Sequence, residues 1–152
     1  MVWYLDTSAF LKLVVDEEES EAMRSWFADH GPVWSSQLLR TEALHAATRL
    51  ELEPDTVVET LESVSLVLPS PSTFLVAGRL GPSSLRSLDA LHLATALEVG
   101  DDLEGIVTYD QRMSEGASEA SLPVLTPRDP PGSLERRSDR CDDLGAGPAN
   151  PG

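Results

Sequence analysis

Short apolar runs alternating with stretches of helical periodicity constrain this chain more than any other feature. The runs are Val2–Leu5, Val33–Ser35, Val64–Leu68, Ile106–Tyr109 and Leu122–Leu125. Each is strand length and too short for a helix. The first is followed by Asp6, Thr7 and Ser8, three helix-capping side chains, and then by Ala9–Val15, apolar at helical spacing. Further helical patterns cover Glu19–Asp29, ended by Gly31-Pro32, and Gln37–Leu50, behind a Ser36 cap. Others run from Pro54 to about Glu62, over Ser72–Arg79, over Leu88–Val99 behind a Ser87 cap, and over Gln111–Ala117. Strands that alternate with helices build an α/β fold with a parallel sheet covered on both faces. Strand twist makes the crossovers right-handed. Ligands in such folds bind beyond the carboxyl ends of the strands. A functional acid is therefore expected where a strand hands over to a helix.

Four acids meet or approach that condition. Asp6 follows the first strand and Asp110 follows Ile106–Tyr109. Each also suits a helix N-cap, where a carboxylate satisfies orphan N–H groups and the helix dipole. Glu42 has Leu38 and Ala46 as one-turn neighbours, so it borders an apolar stripe. A carboxylate there needs a partner or an ion. Asp89 belongs to a helix that is apolar nearly all round and is expected to be buried. Its polar exceptions, Asp89, His92 and Thr95, recur at every third residue and form one stripe that should line a cleft. The competing reading makes Asp89 a dipole partner and His92 a hydrogen-bonded core residue. Four carboxylates drawn together repel, and their proton affinities rise unless a cation compensates. Oxygen-only donors suit Mg²⁺, with Mn²⁺ as the alternative. Such a site points to metal-dependent phosphodiester hydrolysis.

The segments YLDTSAFLKL at 4–13, LLRTEALHA at 38–46, SLDALHLATAL at 87–97 and VTYDQRM at 107–113 resemble the four signature segments of a PIN domain. The likeness is greatest to VapC-type toxins of bacterial toxin–antitoxin pairs, and it covers about residues 1–126. It implies a three-layer α/β/α fold with a five-stranded parallel sheet, and a Mg²⁺- or Mn²⁺-dependent endoribonuclease leaving 5′-phosphate and 3′-hydroxyl ends. The resemblance carries the acidic site onto Asp6, Glu42, Asp89 and Asp110, with Asp6 and Asp89 as the main metal ligands. Ser8 and Thr108 match the hydroxyls beside the first and last acids. It also implies a cognate VapB-type antitoxin whose C-terminal segment covers the cleft, and a homodimer or a toxin–antitoxin hetero-oligomer. An antitoxin arginine would pair with the carboxylates. The alternative is a non-catalytic PIN-like module acting through antitoxin binding and autoregulation.

Charge bears on the partners. Eleven basic residues stand against 26 acidic ones, for a net charge of −15 in 152 residues. That balance excludes a broad basic surface for nucleic acid. It leaves room for a nuclease whose bound metal reverses the local sign. Arg40, Arg86 and Arg112, with Lys12, lie near the acid motifs and are the candidate phosphate contacts. The run Asp16 to Glu21 reads as a solvated loop and helix start. Trp3, Trp26 and Trp34 read as core residues, and as interface candidates if exposed.

Other classes fit poorly. A haloacid-dehalogenase-like site needs a second Asp two residues after the first, where Ser8 stands. A receiver domain needs a late lysine, and the single lysine is Lys12. A zinc site would have to draw on His45, His92 and acids. The one cysteine, Cys141, excludes an internal disulfide and a Cys-cluster zinc site. No apolar stretch is long enough for a membrane span, and the N-terminus lacks a basic leader, so the expected compartment is the cytoplasm. Residues 127–152 hold five prolines, four glycines and only two large aliphatics, Leu134 and Leu144. They read as a disordered tail behind a domain of residues 1–126.

Overall fold

The structure, a computed structural model, describes residues 1–129. In chain order it contains β1 (Val2–Leu5), α1 (Thr7–Val14), α2 (Ser20–Asp29), β2 (Val33–Ser36), α3 (Leu38–Arg49) and α4 (Pro54–Leu61). There follow β3 (Ser65–Val67), α5 (Pro71–Ala77), α6 (Ser87–Leu97), β4 (Leu103–Val107), α7 (Gln111–Glu119) and β5 (Val124–Leu125). The five strands form one parallel sheet in the order β3-β2-β1-β4-β5. The chain first builds outward from β1 to β2 and β3, then returns to the other side of β1 for β4 and β5. The order therefore reverses between β1 and β4.

The two-residue period of the strands separates the cores. Leu5 and Val107 point to one face, where they pack with Ala9, Phe10, Met23, Leu39, Ala43, Val57 and Leu61 of α1 to α4. Tyr4 and Ile106 point to the other, against Leu93 and Ala96 of α6 and Met113 and Ala117 of α7. Helix α5 lies outside α6 through Ala77, Ala90 and Ala94. This is the three-layer α/β/α arrangement with a five-stranded parallel sheet. Both buried faces keep apolar side chains from water, the main favourable term in folding.

Several boundaries differ from the sequence reading, each for a local reason. Ser36 ends β2 rather than capping α3, and its Oγ accepts from the Leu38 N–H at 3.2 Å. Ser87 is the first residue of α6, and Arg86 holds the cap position without a side-chain bond. Strand β4 begins at Leu103 and ends at Val107, three residues earlier than expected at its start. Glu104-Gly105 looks like a strand breaker in sequence, yet Gly105 pairs with Trp3 in the ladder. A Cβ there would lie 2.5 Å from the Pro123 carbonyl oxygen and 2.8 Å from the Trp3 ring, so only glycine lets the strands close. Trp3 and Trp26 meet edge to face at 5.7 Å and pack on the core, as Trp34 does on the opposite face. The large exposed apolar side chains lie instead around α5, notably Leu68, Phe74 and Leu75.

Residues 127–129, assigned to the tail on sequence, pack on the domain. The Tyr109 hydroxyl donates to the Pro127 carbonyl oxygen at 2.6 Å, and Arg128 pairs with Glu19 at 2.9 Å. Asp129 accepts from the backbone N–H groups of Glu19 and Ala22 at the start of α2, at 3.3 and 3.2 Å. It supplies from far along the chain the cap that Glu19 does not provide. The tail expected from 127 onward otherwise lies outside the described residues.

Candidate active site

Open α/β sheets bind ligands beyond the strand carboxyl ends where the strand order reverses. Here that crevice lies between β1 and β4. Asp6 follows β1 directly and Thr108 follows β4 directly. Asp6 caps α1, with Oδ1 accepting from the Ala9 N–H at 3.0 Å and from the Ser8 hydroxyl at 2.7 Å. Its other oxygen accepts from the Thr108 hydroxyl at 2.5 Å. The two hydroxyls are in turn held by backbone donors, Tyr109 N–H on Ser8 at 2.8 Å and Asp110 N–H on Thr108 at 3.0 Å. A hydroxyl has one proton, so both protons are committed to Asp6.

Asp6 is only 3% exposed. Burial pushes its carboxyl above the ordinary range, against the pull of Ser8, Thr108, the Ala9 N–H and the nearby His92. Asp110 caps α7 and accepts from the Met113 N–H at 3.1 Å. The capping reading of Asp6 and Asp110 holds, and each cap also stands just beyond the carboxyl end of a strand. Asp89 lies in the first turn of α6 and is half-buried. Its carboxyl is raised by burial, then by the charge of Asp110, with Glu42 adding to the effect and His92 opposing it. Glu42, on α3, bonds through Oε1 to His92 Nε2 at 2.6 Å, and its side chain is 24% exposed.

Asp110 and Glu42 are thus near enough for their charges to act on Asp89. The four acids do not close on a point: among the described residues, no three His, Cys, Asp or Glu side chains are grouped to hold an ion. The zinc alternative fails on geometry as well. Both ring nitrogens of His92 are engaged, with Tyr4 and with Glu42, and His45 is exposed. Thr95, the third member of the polar stripe, is buried and turns its hydroxyl back to the Leu91 carbonyl oxygen at 2.7 Å. Leu88, expected inside, is exposed.

The basic candidates divide. Arg40, Arg86 and Arg112 are exposed, and no ion pair among the described residues joins them to the four acids. Arg40 Nε donates to Gln37 on its own helix at 3.1 Å. Lys12 is tied elsewhere, to Glu17 at 3.3 Å and to the Glu18 carbonyl oxygen at 2.8 Å. A groove of about 310 Å³ opens beside Glu42, lined by Leu11, Ala46 and Leu88 with Thr7, Thr41, His45 and Arg49. Sequence reasoning missed the groove and the tyrosine behind His92. The three-residue spacing of Asp89 and His92 was the available signal for the latter.

The PIN domain family model matches residues 3–118, which include all four acids. The chain belongs to the PIN domain family. Within it, this PIN domain is 38% identical over 125 residues to Ribonuclease VapC46 of Mycobacterium tuberculosis (strain ATCC 25618 / H37Rv), covering 82% of this chain and 96% of that relative. It is 37% identical over 134 residues to Ribonuclease VapC35 of the same strain, again covering 82% and 96%. These relatives make it a VapC-type PIN domain. Its fold is also that of Mycobacterium tuberculosis VapC20, described as a sarcin-ricin loop cleaving toxin, with a TM-score of 0.67 at 16% identity over 82% of this chain and 99% of that one.

Proposed function

We propose that this VapC-type PIN domain is the endoribonuclease toxin of a toxin–antitoxin pair, and that it cuts RNA with the help of a divalent cation. One observation supports the reading: Asp6 and Asp110 follow β1 and β4, where the strand order reverses, and Asp89 feels the charges of Asp110 and Glu42. The relatives named ribonucleases support the reaction class.

The donor set fits the cation by its chemistry. It consists of carboxylates and hydroxyls, with no thiol and no free imidazole. Burial raises Asp6, burial and like charge raise Asp89, and a cation relieves that cost. The open spacing suits an ion that keeps several waters, as Mg²⁺ does and Mn²⁺ can. Asp6 and Asp89 would hold it, with Glu42 and Asp110 reaching it through water. When bound, such an ion stabilises developing phosphoryl charge and activates water. The protein's own part is positional. Ser8 and Thr108 fix both oxygens of Asp6, and Asp110 is locked as the α7 cap. Arg86 and Arg112 are exposed to meet phosphates of an incoming RNA, as is Arg40 through the nitrogens that Gln37 does not engage.

A VapB-type antitoxin, with an arginine reaching the acids, would restrain the enzyme, in a hetero-oligomer or around a homodimer. The reaction would take place in the cytoplasm. No helix among the described residues is long and apolar enough to cross a membrane. The test compares RNA cleavage by wild type and Asp6→Ala, each folded, with and without Mg²⁺. Loss of cleavage in the variant and on chelation supports the reading. Equal cleavage in both proteins overturns the site, and antitoxin binding without any cleavage favours the non-catalytic module.

A further inference from the structure

His92 lies mid-way along α6, 1% exposed, yet it is bonded at both ring nitrogens. Nδ1 is 2.8 Å from the Tyr4 hydroxyl of β1. Nε2 is 2.6 Å from Glu42 Oε1 of α3 and 3.3 Å from the Thr7 hydroxyl of α1. One imidazole therefore joins four elements, and it does so one turn beyond Asp89 on the same helix.

The protons along this chain can be placed. A carboxylate only accepts, so the bond to Glu42 Oε1 is one donated by Nε2–H. Tyr4 is fully buried, and that burial pushes its phenol well above its ordinary range, so it keeps its proton. Nδ1, on the other side of the ring, meets the Tyr4 hydroxyl. Every member is satisfied, in keeping with the absence of unpartnered buried side-chain polar atoms among the described residues. The ring is thus held on its inner side by a fully buried phenol.

We propose that Tyr4 and His92 are positioning residues: they commit Glu42 Oε1 to the protein interior and leave its second oxygen to serve the ion site. The proposal rests on the reading that Glu42 belongs to that site. Groups that hold a ligand from behind fix its orientation, and their loss weakens metal affinity by roughly 10- to 100-fold. The arrangement also ties the helix carrying Asp89 to the helix carrying Glu42 by a bond rather than by packing alone.

Two measurements on the full chain test it. ¹⁵N imidazole spectra of the metal-free protein are expected to show a proton held on His92 Nε2, and Tyr4→Phe to weaken that signal. Mn²⁺ titration calorimetry then compares two variants checked for folding by thermal melts. His92→Gln keeps an N–H near the Nε2 position, whereas His92→Asn keeps a polar atom only near Nδ1. His92→Gln is expected to bind Mn²⁺ within about 3-fold of wild type, and His92→Asn about 10-fold or more weaker. A His92 without a proton on Nε2 in wild type overturns the proposal, as does equal Mn²⁺ affinity of the two variants. Wild type that takes up no Mn²⁺ overturns the metal reading above, and the Nε2 proton still decides whether Glu42 Oε1 is held from behind.

Discussion

The Thr108 hydroxyl donates to Asp6 Oδ2 at 2.5 Å across 102 residues of sequence. The Thr108 hydroxyl oxygen itself accepts from the Asp110 backbone N–H at 3.0 Å, so one small side chain joins Asp6 to Asp110. Replacing it with a methyl leaves a buried carboxylate oxygen and a backbone donor without partners. Thr108→Val should cost about 1–3 kcal/mol, the usual penalty for a group left unsatisfied in the interior. Urea unfolding measures it, and Thr108→Ser should retain most of the stability. Equal midpoints for Thr108→Val and wild type would contradict the assigned bond.

Asp6 serves two ends that substitution can separate. Asp6→Asn keeps a side-chain oxygen for the Ala9 N–H, so the α1 cap survives, while Asp6→Ala loses it at about 0.5–2 kcal/mol. Both should lose RNA cleavage by at least about 100-fold, if Asp6 supports the group that stabilises phosphoryl charge. Chemical denaturation and a cleavage assay on the same preparations make the comparison. Retained activity in Asp6→Asn would detach the carboxylate from the chemistry.

The pH dependence of stability follows from the raised carboxyls of Asp6 and Asp89. A folded state that holds its protons more tightly than the unfolded chain binds more protons between the two titrations. Stability then falls as pH rises through that window, from the unfolded carboxylate value upward. Metal-free protein should therefore unfold at lower urea near neutral pH than in mild acid, with the difference reduced in Asp6→Asn. A bound cation reverses the preference, so Mg²⁺ should raise the midpoint near neutral pH and do little in acid. Urea titrations in chelator and in Mg²⁺ check both signs.

Gly105→Ala tests the closeness of three strands. The new methyl meets the Pro123 carbonyl oxygen and the Trp3 ring, neither of which yields easily. A cost of about 1–3 kcal/mol is expected from overpacking, read as a lower thermal midpoint. Because β4 carries Thr108 at its end, cleavage should fall together with stability. An unchanged melt would mean that β4 and β5 separate freely.

Much of this was legible in the chain. The strand Val2–Leu5 with Asp6 behind it carries both a pattern of period two and a capping residue, and these local signals survive in the fold. The strand around Gly105 was misplaced because its glycine reads as a breaker until a neighbouring carbonyl and a tryptophan ring are seen against it. Asp89 and His92 advertised themselves as polar residues on an apolar helix. What they face was not legible, since Tyr4 lies 88 residues from His92 and looks in sequence like any buried aromatic. Periodicity records which way a side chain turns, but not which distant partner awaits it.

The clasp formed by Tyr109 with Pro127 and by Asp129 with the head of α2 sets where this protein can be shortened. A version stopped at 126 would look sound by composition and would still shed the carboxylate that caps the start of that helix. Truncations that keep Asp129 are expected to melt higher than those that stop at 126.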